Sequence, residues 1–593
     1  MLPDWLPLHR LAIPVAFAAA LAVVVAIDRP RGSWGRRLRS RFLLGVPWGT
    51  LVAVAVVVCV YLFVQRGIDD PTDPVVIPFR AWSFFYPEGM LLSGLSHASL
   101  GHVVGNLLAT LVAGSLAEYA YGHFPRRRGG ISFRTPLENP FVRAFLVVPV
   151  AIVAGAILSS VFAIGPVIGF SGVVFALWGF SLVHYPLGSI VALAGVSLLN
   201  LVYEALRDPV VQSAASPSYG GPWWANISIQ GHAIGFLLGV LVGAALLRRR
   251  RGRSVDPEVG RDGWPSRSAL AVFSGVLLFA SSRSLWAVYW YLGNERYVLY
   301  RAVGIGLIVL LALLVALAVA GRREPIVPSW SVPNPETFRD AVRSSSPQSA
   351  GLVLLLFGLG MLAGPAIAPN LLAVTDEELP GDPIEVEGYE VTYAENVSNQ
   401  MVNVVDIEAF DRSTRVNTSG VIVKNADRGI WITAVSRGNL QYWGSRSVDV
   451  GGTGWRETVV ATRTGWNAVG GGTAYRVDLE HDGERRTAFR SEPATAEPTI
   501  EGWSVSVAAV DEGFEVAVRR GNGTNPSLDV EDDAFGAGPT AETAPLPGQN
   551  ESVELNGLTL VREDRRIYAE SNGTRVRVLE LERHEGRERL RNQ

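Results

Sequence analysis

The sequence predicts an α-helical polytopic membrane domain followed by a mostly β, sandwich-like soluble domain, and three observations carry that prediction. Of the 593 residues, 48% are hydrophobic, too many for an average soluble protein, and the length allows several domains. Ten apolar runs fall within the first 370 residues, most of them close to the roughly 20 residues needed to cross about 30 Å of hydrocarbon. The net charge of −3 hides a split: residues 1–370 carry 17 acidic and 29 basic side chains, residues 371–593 carry 38 and 23. A basic apolar half and an acidic polar half read as a membrane part and a soluble part.

The runs are 11–27, 42–64, 100–120, 141–162, 169–184, 189–206, 227–247, 269–292, 303–320 and 351–368. The first has neither a basic leader nor a clear cleavage site and is followed by a second run, so it reads as a retained span rather than a signal peptide. Short arginine-rich connections follow alternate runs: 29–41, 126–134, 248–253 and the pair Arg322–Arg323. The excess of basic residues in cytoplasmic loops then places the amino terminus, the connections 65–99, 163–168 and 207–226, and everything after residue 368 on the far side. Residues 76–95 are amphipathic and aromatic and look like an interfacial segment. The connection 207–226 holds Gly220, Gly221, Trp223 and Trp224, a glycine-jointed stretch with tryptophans suited to the membrane surface.

After residue 368 the pattern changes to alternating segments, among them 385–393, 402–409, 429–435, 475–480, 503–509, 514–518 and 574–581, which read as half-exposed strands. Turn dipeptides such as Asp482-Gly483 and Asn572-Gly573 separate them. Residues 536–550, rich in Pro, Gly and Ala, read as a flexible loop. Asn-x-Ser/Thr triplets at Asn396, Asn417, Asn522, Asn550 and Asn572 agree with an exported domain. Four blocks result: 1–41, an added span with its basic connection; 42–247, a helical core; 248–370, three further spans; and 371–593, the acidic β domain. Cys59 is the only cysteine, so no internal disulfide and no cysteine metal cluster can form. No cofactor, metal or nucleic-acid partner is expected; the lipid bilayer is.

Chemistry concentrates in a few polar residues of the apolar half. Ser171 lies between Gly169 and Gly172 in a Gly-Phe-Ser-Gly turn at the mouth of an apolar run. Small residues also occur wherever membrane helices pack, so the turn alone decides nothing. His102 and Asn106 are four apart, one turn along one helix face, and His232 opens the run that continues through Gly235, Gly239 and Gly243. Ionisable groups inside spans are costly and face cavities or partners. All four polar groups fall within the outer few residues of their spans, and small residues on the Gly172 and Gly235 faces would let serine and imidazole meet.

In this order and on these runs, His97, His102 and Asn106, then Gly169, Ser171 and Gly172, then His232 and Gly235, resemble the motifs of the rhomboid intramembrane serine proteases. The resemblance covers roughly 42–247, six runs of the ten. It implies a six-helix core with a Ser-His dyad and no carboxylate, Ser171 as nucleophile and His232 as base and then acid. It further implies an oxyanion held by His102, Asn106 and the Ser171 N–H, room beside that anion at Gly169, and His97 supporting the outer connection by hydrogen bonds. Gly235 and Gly239 would serve packing, and Glu118 would be a structural link. Two positions depart: Phe175 stands where relatives often have a tyrosine stacking on the base, and Arg80 and Trp82 occur in reversed order. His9, His123 and His184 match nothing and read as surface or interfacial. The expected substrates are transmembrane proteins cut within or beside their spans, with 207–226 as a movable cap. A catalytically silent chaperone or scaffold is the alternative; a transporter, which ten spans could also serve, would need paired broken helices near the midplane, and none is evident.

Overall fold

The computed structural model describes residues 8–28, 32–124, 136–207, 221–251, 268–292, 296–321, 345–371, 378–400, 416–520 and 541–586. The basic connections 126–134 and Arg322–Arg323, most of 207–226, the expected strand 402–409 and Asn522 lie outside these residues. The chain divides into two compact units, one of 1–373 with 451–456, the other of 374–450 with 457–593.

The first unit is helical. Its elements are α1 (Leu8–Asp28), α2 (Ser33–Arg41), α3 (Trp48–Val64), α4 (Pro87–Leu92), α5 (Leu100–Tyr121), α6 (Pro140–Val161), α7 (Ser171–His184), α8 (Pro186–Arg207), α9 (Ile229–Arg251), α10 (Ala269–Ser282), α11 (Arg301–Ala320) and α12 (Pro347–Leu371). Among the described residues six helices, α5, α6, α8, α9, α11 and α12, are long and apolar enough to cross a membrane, and α3, α7, α10 and residues Ala12–Ile27 of α1 form shorter apolar helices. This is a multi-pass membrane protein.

Small residues set the tightest packing. A Cβ at Gly235 would collide with the Gly172 carbonyl, one at Gly239 with the Ala176 carbonyl, and one at Gly179 with the Phe236 carbonyl, so α7 and α9 pack backbone against backbone along three turns. Aromatic rings close the next layer: Phe279 of α10 lies 5.4 Å from Phe175, 5.9 Å from Trp178 and 5.3 Å from Phe236, pairs worth about 0.5–1.5 kcal/mol each beyond their burial. At the other end of α5, the buried Glu118 carboxylate accepts from Gly49 N (3.0 Å), Thr50 N (2.8 Å) and Thr50 Oγ1 (2.7 Å). A carboxylate there satisfies donors that the first turn of α3 leaves open and complements its dipole.

Several expectations need correction in this unit. The run 269–292 is not one helix: α10 stops at Ser282, Ser284 takes φ +60°, and a ribbon pairs Tyr289–Tyr291 with Tyr297–Leu299. The stop has local causes, since the Ser281 and Ser282 hydroxyls bond back to Leu278 O and Phe279 O while Trp286 Nε1 donates to Ser281 O. The aromatic segment 76–95 turns much of its apolar surface inward rather than outward: Phe79, Trp82 and Met90 are buried, and Trp82 Nε1 donates to Ile77 O at 2.6 Å. His123 and His184 are buried, not interfacial; His123 Nε2 lies 2.8 Å from Glu118 Oε1 and His184 Nδ1 2.9 Å from Phe180 O. The His9 side chain lies outside the described residues.

The second unit is β-rich, as its alternation predicts. One antiparallel sheet runs Ile384–Val386, Tyr389–Ser398, Asn417–Asn425, Ile430–Ser436. The expected single strand 385–393 is a hairpin, because Glu387 and Gly388 take φ +47° and +80°, the conformations of a tight two-residue turn. A larger sheet orders Glu484–Arg490, Thr473–His481, Trp455–Ala468, Thr574–Leu581, Arg566–Ser571, Leu558–Glu563 and Ser552–Leu555, with Ser445–Gly452 also pairing Trp455–Ala468. A third joins Ala494–Thr495, Trp503–Val510, Gly513–Arg520 and Glu542–Pro545, so the segment expected as a loop over 536–550 contains a strand. Val505, Val507 and Val516 of the third sheet share one core with Leu558, Leu560 and Ile567 of the second. Arg463 forms a buried two-pronged pair with Glu582, at 3.0 Å from Nε to Oε2 and 2.9 Å from Nη2 to Oε1.

Candidate active site

Three helices begin at the same place. Ser171 is the first residue of α7, His232 lies in the first turn of α9, and His102 and Asn106 lie in the first two turns of α5. The Ser171 Oγ and His232 Nε2 are 2.8 Å apart, a hydrogen bond in which the hydroxyl donates when Nε2 is unprotonated. Phe175, one turn after the serine, stacks on the imidazole with centroids 4.2 Å apart and planes 9° from parallel. His232 Nδ1 has no hydrogen-bond partner among the described residues, so the pair is a dyad without a carboxylate behind it.

The loop before Ser171 is held from outside the motif. Gly169 N donates to Ser93 O (2.8 Å), Ala81 N to Val167 O (3.0 Å), and the half-buried Arg80 guanidinium to Pro166 O (3.1 Å). Arg80 therefore anchors this loop despite its reversed order with Trp82. On the other side Gln230 holds the start of α9: its amide donates to Phe162 O and Leu362 O, and its Oε1 accepts from Ile164 N at 2.9 Å. Sequence reasoning missed Gln230; an amide two residues before His232, at the start of an apolar run, was the available signal.

The remaining residues surround the dyad. Gly169 has φ +130°, and a Cβ there would stand 2.7 Å from His102 Cε1 and 3.7 Å from Ser171 Oγ, so the His102 ring borders the space next to the serine. Asn106, Ser171 and Phe175 line one cavity of about 180 Å³ together with Asn200 of α8 and Arg283, and Asn106 Nδ2 has no hydrogen-bond partner among the described residues. Gly172 abuts Ser159 of α6 as well as Gly235. His97 is fully buried, its ring 5.0 Å edge-on to His102. Its backbone, not its ring, makes the bonds to the outer connection: His97 N donates to Gln65 Oε1 (2.7 Å) and Gln65 Nε2 to His97 O (2.8 Å). The cap expected over 207–226 falls mostly outside the described residues; at its described end Trp224 sits 5.5 Å from Tyr289 and 6.0 Å from Tyr297.

A half-buried, hydrogen-bonded serine-imidazole pair at the amino ends of packed apolar helices defines a class, a multi-pass membrane protein with a Ser-His dyad. Residues 81–249 match the family model described as "Rhomboid domain", and over that stretch the chain is similar to the rhomboid family. No curated protein and no solved structure matches it.

Proposed function

We propose that the protein is an intramembrane serine endopeptidase that hydrolyses peptide bonds within or beside transmembrane segments of other membrane proteins. The observation that carries this is the 2.8 Å separation of Ser171 Oγ and His232 Nε2, inside a domain of the rhomboid family. A serine hydroxyl is a weak nucleophile until a base takes its proton during attack. In the proposed reaction Oγ adds to the carbonyl carbon, His232 Nε2 takes the hydroxyl proton, and the carbonyl oxygen becomes an anion. His232 then gives that proton to the departing amine. Water, activated by the same imidazole, releases the acyl group and restores the hydroxyl.

The anion forms where α7 begins. The first N–H groups of a helix lack intrahelical acceptors and carry the positive end of its dipole, and Ser171 N–H is one of them. His102 beside Gly169 and the Asn106 amide in the same cavity supply further donors, each worth about 3 kcal/mol of barrier. Gly169 and Gly172 provide room, Gly235 and Gly239 keep α9 close to α7, and His97 backs His102. Residues 42–247 serve as the protease core, 1–41 and 248–370 as added spans, and 371–593 as an extracytoplasmic domain; the alternation of arginine-rich connections supports that orientation.

The test is cleavage of a purified single-span substrate in liposomes by the wild-type protein and by Ser171→Ala. Fragments from the wild type alone are expected. Equal fragments from both proteins, or none from either, would reject proteolysis, and stable binding without cleavage would favour a chaperone or scaffold.

A further inference from the structure

The cavity beside Ser171 has a wall that does not belong to the family-matched region. Helices α5, α7 and α8 supply most of its lining, and Arg283, immediately after α10, supplies a cation. Residues 81–249 carry the rhomboid domain, so Arg283 comes from an added span.

A guanidinium among apolar helices is expensive unless it meets a partner or a polar cavity. Arg283 is half-buried, and among the described residues its side chain has no hydrogen bond, ion pair or ring contact. None of the residues lining the cavity is acidic. The acidic residues on the surrounding helices are committed elsewhere: Glu118 of α5 caps α3, and Glu204 of α8 is exposed. α7, α9, α10 and α11 contain none. The cavity that Ser171 lines therefore also holds a positive charge with no acidic partner among the described residues. The lining also includes Asn200, a neutral amide that donates two hydrogens. A planar guanidinium fork matches a carboxylate in two parallel hydrogen bonds. At about 180 Å³ the space equals that of about six waters, enough for one short side chain.

We infer that Arg283 and Asn200 form a carboxylate-accepting subsite beside Ser171, selecting substrates with an Asp or Glu close to the cut bond. This rests on the proteolytic reading above and adds a substrate preference to it. An acidic side chain in a membrane segment is itself unstable in lipid, so the subsite would give such a segment a place to enter and unwind.

The experiment uses full-length protein in liposomes and pairs of single-span substrates that differ only by Asp or Asn, scanned over four residues on each side of the cut bond. At one or two positions the Asp substrate should show about tenfold higher kcat/KM in the wild type. Arg283→Gln should bring that ratio to about one, Arg283→Lys should keep part of it, and Arg283→Glu should favour a Lys substrate instead. A parallel binding titration of the same Asp and Asn peptides to Ser171→Ala, with and without Arg283→Gln, needs no cleavage. If no substrate is cut, the proteolytic reading fails and the binding ratio alone decides the subsite. A ratio near one at every position in the wild type, or one that survives Arg283→Gln, overturns the subsite. Equal binding of both peptides with and without Arg283→Gln, the result if a lipid phosphate occupies the guanidinium, overturns it too.

Discussion

Gly169→Ala tests the assignment of His102 and of the space beside the serine. At 2.7 Å from His102 Cε1 and 3.0 Å from Nε2, the new methyl would be about 0.7 Å closer than the roughly 3.4 Å at which carbon contacts become ordinary. The ring must retreat by that amount or the loop must shift. Alanine also disfavours the observed φ of +130°, a strain of about 1–3 kcal/mol. The loop is tied down by Ser93 O, by Ala81 N and by Arg80, so the ring is the easier part to displace. Losing one oxyanion donor costs about 3 kcal/mol, a fall of about a hundredfold in kcat. The anion exists only in the transition state, so KM should change by less than about threefold. The assay is steady-state cleavage in liposomes, with thermal unfolding in detergent as a control for folding. A kcat within threefold of wild type in a folded protein would refute the placement of His102.

Further consequences follow from other contacts. Phe175→Ala should lower kcat about tenfold by releasing the stacked His232 ring, whereas Phe175→Tyr should stay near wild type; matching losses in both would refute a stacking role. Glu118→Ala should destabilise the first unit by about 3–5 kcal/mol, because it strands donors of α3 and the buried His123, read as a fall in unfolding temperature; an unchanged temperature would refute the link. Arg463→Ala should destabilise the β unit by a similar 3–5 kcal/mol by leaving Glu582 buried and unpaired, detected by limited proteolysis between 457 and 586; wild-type protease resistance there would count against it.

Helices and the dyad were legible because their signals are local or chemically rare. Apolar runs announce spans, and Ser171 and His232 each carry small neighbours that reveal a close crossing. The breaks were less legible. Nothing in the apolarity of 269–292 distinguishes a helix from the turn and ribbon that follow Ser282, since the side chain to main chain bonds of Ser281, Ser282 and Trp286 decide it. His123 looked interfacial because its partner, Glu118, meets it around the end of α5. Glu387-Gly388 was hidden inside an alternating run, although a glycine after a polar residue was a turn signal. Asn200 and Arg283 could not be placed beside Ser171 from spacing, because three different helices must pack before they share a cavity.

The central claim is that Ser171 is a nucleophile whose proton His232 accepts. Its most direct measurement is mass spectrometry of the full-length protein after reaction with a fluorophosphonate, which bonds only to activated serines. One adduct on Ser171 is expected in the wild type, lost in His232→Ala and unaffected by Arg463→Lys in the β unit. An unmodified Ser171 in folded wild type, or equal modification in His232→Ala, would contradict the account.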